Sequence, residues 1–196
     1  MAAELDHLSG VQTFGYVVEE QPPPGKIDKE KAIALGVVPS KKYGLLKSGI
    51  SVQRDDGTGE VHPSQVLSQV FRPRKFSLLA DHRLVPSSMA QLCANSDVLV
   101  HEATLSKNDG IIRIKTRGHQ NAFNAGAFAK TSGCKVLVLN HFGGLAFGKD
   151  LMTEIMSEAL HGNEAASEIV ASYDFMELYV PRGGYDFDNT KSSEIQ

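Results

Sequence analysis

Three apolar runs in this sequence end on residues that can do chemistry. Asp81 follows Phe-Ser-Leu-Leu-Ala, His101 and Glu102 follow Asp-Val-Leu-Val, and His141 follows Lys-Val-Leu-Val-Leu-Asn. Charged groups beside buried strands need partners, so packing alone does not account for three such ends. Imidazole nitrogens and carboxylate oxygens are the donors of hydrolytic metal sites. Neutral histidine binds zinc, and a carboxylate can bridge two ions, help to acidify a water and clamp a phosphate. One aspartate with two histidines is most of one such set, and no His-x-His or His-x-x-x-Asp-His cluster occurs in the sequence to complete it. His119, after Gly118, opens a helix; it can bond backbone there or join the group. Phe142-Gly143-Gly144 behind His141 gives a loop in which backbone can approach a ligand closely.

Positioning these residues requires a sheet. Gln12–Glu19, Phe76–Ala80, Asp97–His101, Lys135–Leu139 and Phe175–Val180 read as strands. Helical patterns lie between them: Asp28 to Gly36, Ser87–Ala94, the alanine-rich Asn121–Thr131 and Leu151–Leu160. Pro22, Pro23, Pro24 and Gly25 stop regular structure, and Asp55-Asp56-Gly57-Thr58-Gly59 signals a hairpin turn. A short segment with Val66, Leu67 and Val70 starts at Pro63. Val37–Gly49, broken by Pro39, Gly44 and Gly49, is expected to be irregular. Arg113, Lys115 and Arg117 alternate before His119, as an exposed strand face or the lining of a nucleic-acid path. Strands alternating with helices predict an α/β sheet whose strand ends converge on one edge, where ligand sites form.

Composition bounds the class. With 196 residues, 41% hydrophobic, 22% charged and a net charge of −3, the chain is an ordinary globular one, which excludes a disordered tail or a collagen-like fibre. Cys93 and Cys134 lack Cys-x-x-Cys spacing and read as reduced core thiols. No run approaches the ~18 apolar residues of a membrane span, and no signal peptide is evident, so the expected location is cytoplasmic, with nucleus or organelle as alternatives. Between Pro22 and Gly49 six lysines (Lys26, Lys29, Lys31, Lys41, Lys42 and Lys47) face only Asp28 and Glu30, a local +4 that leaves −7 on the remainder. Such an arm either grips a polyanion through its phosphates or is a solvated loop.

Taken in order, the motifs resemble the ribonuclease Z family of tRNA 3′-processing endonucleases in the metallo-β-lactamase superfamily. Leu5-Asp6-His7 before Phe14-Gly15-Tyr16 looks like the family's metal-binding histidine ahead of a Phe-Gly-Tyr strand. Pro24-Gly25-Lys26, Leu35-Gly36, Gly44-Leu45-Leu46-Lys47 and Gly49 are similar to its tRNA-gripping arm. Ala80-Asp81 stands where the family has Gly-Asp, His101-Glu102-Ala103-Thr104 matches a signature tetrapeptide, Gly118-His119 opens a Gly-His-Ser-Thr segment, and Asn140-His141-Phe142 resembles a His-Phe-Ser segment. The likeness runs from about Glu4 to Tyr179.

This resemblance implies the C-terminal part of an αβ/βα metallo-β-lactamase fold, a four-layer sandwich with a basic flexible arm. Residues 1–182 would form a partial domain with the arm at about 22–49, and 183–196 a polar tail. It further implies two zinc ions, with His7, Asp81 and His141 as ligands and Asp81 bridging. Glu102 and His119 would assist proton transfer to the leaving 3′ oxygen, and His101 would support their loop. Lys26, Lys29, Lys41, Lys42 and Lys47 would hold precursor tRNA, in a homodimer. The family's N-terminal His-x-His-x-Asp-His motif is absent from the sequence, so negligible cleavage is expected from this chain alone, the alternative being a silent tRNA-binding or partner subunit. Gln120-Asn121 replaces Ser-Thr, and Gly143-Gly144-Leu145 replaces the Ser and Arg that follow Phe.

Overall fold

The computed structural model describes residues 1–21, 25–68, 72–143 and 149–181. Pro22–Pro24, Val70, Gly144-Leu145 and the tail 183–196 lie outside the described residues. The chain begins with β1 (Ala2–Leu5) and β2 (Thr13–Glu19), followed by α1 (Lys29–Ala34), α2 (Lys41–Lys47), β3 (Val52–Gln53), β4 (Glu60–Val61) and α3 (Pro63–Val66). It continues with β5 (Lys75–Leu79), α4 (Ser87–Cys93), β6 (Val98–Glu102), α5 (Gly110–Arg117) and α6 (Ala122–Ser132). β7 (Val136–Asn140), α7 (Lys149–Asn163) and β8 (Glu168–Ala171) complete it. Two units separate: Met1–Glu20 with the chain from Arg74 onward, and Gln21–Pro73.

The first unit is a six-stranded sheet in the order β1-β2-β5-β6-β7-β8. β2 is antiparallel to both neighbours and the remaining pairs are parallel, so every strand except β2 runs the same way. Period-two alternation assigns the faces. Val17, Leu79, Leu99, Leu137 and Leu139 meet Met89 and Cys93 of α4, Ala122, Ala125 and Ala129 of α6, and Ile155 and Ala159 of α7 in one core. On the other face Val98, Val136 and Val138 pack with Met176, Leu178 and Val180. Cys93 and Cys134 are both buried and free, and burial raises both thiol pKa values.

Three expectations are corrected. Phe175–Val180 is not a strand; its alternate apolar side chains cover the sheet, while Glu168–Ala171 takes the place beside β7. Arg113, Lys115 and Arg117 sit on α5, a helix ended by left-handed Gly118, and not on a strand face. Val37–Gly49 contains α2, because Ser40 caps it through the Lys42 amide and Leu46 is fully buried. Tertiary burial there outweighs the propensity cost of Gly44.

The second unit closes around Ala32, Val37, Leu46, Val52, Val61 and Val66. Asp28 caps α1 at the Lys31 amide (3.1 Å), and β3 and β4 form the expected hairpin. On α1 Ala32 is buried and Ile33 is exposed. Among the described residues no helix is long and apolar enough to cross a membrane.

Candidate metal centre

The common strand direction explains how distant residues meet. β1, β5, β6 and β7 all point to one edge, and the residues at or just beyond their ends are His7, Asp81, Glu102 and His141. His119 arrives from the loop after α5, tied to the end of β6 by the Leu105–Asn121 bridge. The donor atoms of His7, Asp81 and His119 lie within 4.8 Å of one another, and so do those of Glu102, His119 and His141. His119 belongs to both groups. Its ring stands 5.2 Å from those of His7 and His141.

Glu102 anchors the cluster. It is 1% exposed and accepts from the His82 backbone amide (2.6 Å) and the Thr104 hydroxyl (2.5 Å), with His119 Nδ1 at 3.2 Å. A carboxylate taken from water requires several donors, and it has them. With Nδ1 turned to the carboxylate, His119 directs Nε2 outward. His7 is held the other way, since its Nδ1 accepts from the Leu8 amide at 2.6 Å. His141 is the exposed member, with Nε2 3.6 Å from Asp81 Oδ2.

His101 lies behind this group. It is 1% exposed, sits 5.9 Å from the Phe128 ring, and its Nε2 is 3.2 Å from Nε2 of His82. Burial, with His82 next to it, lowers the His101 pKa to about 3, and burial lowers that of His82 as well. Both rings are therefore neutral at physiological pH. Each Nδ1 faces a carbonyl, Ala80 O for His82 and Glu102 O for His101, at 2.7 Å.

Sequence reasoning missed His82, which reads as one more polar residue in a turn, and the work done by Thr104. It also missed Arg83, whose guanidinium pairs with Asp6 at 3.0 Å and fixes the loop after β1. A cleft of about 540 Å³ lined by His7, Gly10, Gln12 and Arg83 borders that loop. Gln120 donates to the Arg83 carbonyl and accepts from Asn124, while Asn121 caps α6 at the Asn124 amide (2.8 Å). The amides in the place of Ser-Thr thus hold the helix start.

The candidate RNA residues lie in the second unit. Lys26, Lys29, Lys41 and Lys47 are exposed. Lys42 is half-buried and committed to Asp55 Oδ1 (2.6 Å) and the Gln53 carbonyl (2.8 Å).

Nitrogen and carboxylate donors in this number suit zinc, which binds such ligands at about 2.0–2.2 Å. Tetrahedral bonds of that length set ligand atoms about 3.4 Å apart, so a spread of up to 4.8 Å calls for the side chains to turn inward around an ion. His7 needs more, because presenting Nε2 as a lone pair means giving up the Leu8 amide.

A mixed sheet with helices packed on one face and this donor cluster at its edge defines an α/β protein with a candidate metal centre. No family model matches the sequence. The chain is similar to zinc phosphodiesterase ELAC protein 1 of Homo sapiens, 34% identical over 179 residues, covering 87% of this chain and 49% of that protein. It is similar also to ribonuclease Z of Bacillus subtilis, 31% identical over 176 residues, covering 90% of this chain and 55% of that protein. Among solved structures, human tRNase Z, short form, aligns over 92% of this chain and 42% of its own, with 21% identity and a TM-score of 0.48. The chain is similar to the C-terminal portion of ribonuclease Z and spans about half the length of the curated relatives it matches.

Proposed function

We propose that this chain carries part of the active site of a zinc-dependent endoribonuclease that removes the 3′ trailer from precursor tRNA. The observation behind this reading is the convergence of His7, Asp81, Glu102, His119 and His141 on one edge of the sheet. In this reading His7, Asp81 and His141 would hold the zinc. When bound, the ions would offset phosphate charge and ease loss of a proton from the attacking water. His119 donates a proton to the leaving 3′ oxygen, and Glu102 orients its ring and offsets the imidazolium charge. His101 is a positioning residue, since it is buried behind Glu102 and bonded to that residue's carbonyl. Lys26, Lys29, Lys41 and Lys47 contact tRNA phosphates, with Lys42 ordering the surface that bears them; such recognition reads shape and charge more than bases. A cytoplasmic homodimer acting on tRNA completes the reading.

Zinc titration of the full chain, followed by incubation with a precursor tRNA, tests it. Zinc binding is expected in wild type and is lost in D81A and H141A, with tRNA bound in a salt-sensitive manner. Trailer release by the chain alone is expected to be negligible, because the two donor groups share His119 and supply few ligands for two ions. Absence of zinc binding would overturn the assignment of the centre. Full-rate cleavage would overturn the incomplete part of the reading. Bound tRNA that survives EDTA in a chain that binds no zinc would favour the silent tRNA-binding subunit.

A further inference from the structure

Thr104 stands between the buried carboxylate and the exposed imidazole of the centre. Its hydroxyl oxygen is 2.5 Å from Glu102 Oε2, 2.8 Å from His141 Nδ1 and 2.8 Å from the His141 carbonyl. A hydroxyl has one proton and two lone pairs, so it can donate to only one of these. The carboxylate is the strongest acceptor and the closest, at a length normal for a charge-assisted O–H···O bond. With that proton committed to Glu102, the oxygen can meet a ring nitrogen only as an acceptor, which requires a proton on Nδ1.

We propose that Thr104 is a positioning residue that fixes His141 in the Nδ1–H tautomer and so keeps Nε2 bare for a metal; this deepens the metal reading above and rests on it. Without the hydroxyl the other tautomer gains. Asp81 Oδ2 is 3.6 Å from His141 Nε2, too long for a hydrogen bond as it stands but near enough to attract an Nε2 proton after a small rotation. A ring protonated there cannot be a ligand through that atom. The backbone supports the arrangement. His141 itself adopts a left-handed φ of 50°, and the loop behind it lies so close that a Cβ on Gly143 would come within 2.6 Å of the Thr104 carbonyl oxygen. The hydroxyl also joins the two halves of the centre, because the carboxylate that receives its proton is the one that orients His119.

The test is long-range ¹H–¹⁵N correlation of the histidine rings in the metal-free full chain, at about pH 8, above the ordinary imidazole pKa of about 6.5. H141Q assigns the signals. Wild type is expected to show His141 protonated on Nδ1, T104V to shift it wholly or partly to Nε2–H, and T104S to restore the wild-type pattern. Zinc affinity, read by competition with a chromophoric chelator, should fall about 10- to 100-fold in T104V, as for other losses of a ligand's supporting hydrogen bond, and return in T104S. His141 protonated on Nε2 in wild type overturns the proposal without any variant, so a poorly folding T104V does not shield it. An unchanged tautomer in folded T104V overturns it equally. If wild type binds no zinc while the tautomer behaves as expected, the metal reading fails and the role of Thr104 in setting the tautomer stands.

Discussion

Glu102 is 1% exposed with two donors bonded to it and a third group, His119, within 3.2 Å, whereas Lys26, Lys29, Lys41 and Lys47 stand exposed on a small unit with its own core. Both regions concentrate charge, by opposite means. The sheet unit takes a carboxylate out of water and surrounds it with fixed partners, so its charge is precise in place and costly to disturb. The lysine-bearing unit leaves its charge in solvent, where position matters less and number matters more. Proton transfer needs the first arrangement, since reach must be within a hydrogen bond. Neutralising phosphates needs only the second.

The contrast breaks most visibly on one substitution made twice. In α6, a Cβ on Gly126 would collide with the Ala159 carbonyl of α7, and neither backbone can yield without separating the helices. Gly44, within α2, has nothing within 4 Å of where its Cβ would be. G126A is therefore expected to destabilise the sheet unit by about 3 kcal/mol or more, as overpacking does. G44A should stabilise the lysine-bearing unit by about 0.5–1 kcal/mol, the ordinary gain of alanine over glycine within a helix. Urea unfolding followed by near-UV circular dichroism measures both, and equal signs would contradict the packing described.

Next in size is the anchor itself. E102Q keeps the shape of the side chain but replaces one acceptor oxygen with a donor; the Thr104 hydroxyl can turn to the His141 carbonyl, whereas the buried His82 amide loses its partner when the new nitrogen faces it. A buried group left unsatisfied costs about 1–3 kcal/mol, and the urea midpoint should fall accordingly. A wild-type midpoint in E102Q would show that the carboxylate is not the keystone of the cluster.

These two regions were not equally readable in advance. β6 and β7 declared themselves, because Val-Leu-Val runs flanked by turns have few other uses, and α6 was bounded by Asn121 and Gly133. The ends of those strands gave Glu102 and His141 from residue type alone. His7 did not emerge that way. Ala-Ala-Glu-Leu carries too little apolar alternation to be read as β1, and without β1 nothing places His7 at the same edge; only the family resemblance named it. β8 was missed for a related reason. Glu-Ile-Val-Ala is shorter and less apolar than Phe175–Val180, yet pairing beside β7 favours it, and the longer run serves as cover. α2 was hidden by Pro39 and Gly44, whose local cost is outweighed by burial of Leu46. Local signals thus revealed the centre of the sheet, whereas its edges and the lysine-bearing unit depend on contacts that sequence distance conceals.

A smaller effect sharpens the electrostatic side. Replacing Lys26, Lys29, Lys41 and Lys47 together by glutamine should change stability by no more than about 0.5 kcal/mol per site, as exposed substitutions do. The salt dependence of tRNA binding should flatten, by up to roughly 0.7–0.9 in log–log slope for each lysine that neutralises a phosphate. Filter binding across a salt series separates the cases. An unchanged slope would mean that these side chains are merely solvated.

The smallest effect concerns Lys42, whose ammonium is bonded within its own unit. Asp55 accepts from its ammonium at 2.6 Å and from the Val38 amide at 2.8 Å, and these bonds, the Lys42 one foremost, hold the Asp55 pKa below the ordinary 3.8. A folded pKa below the unfolded one means that the stabilisation is fully present above about pH 4 and is lost as pH falls through the folded value. Both side chains are about a third exposed, at 32% and 37%, so solvent screens the pair and its contribution is slight. D55N removes the charge at every pH. The difference in urea midpoint between wild type and D55N should therefore be small but measurable near pH 7 and should shrink steadily below pH 4. A difference that stays constant through that range would mean that Asp55 acts through the Val38 amide alone, which asparagine can also bond, and that Lys42 is as free for RNA as the other four lysines.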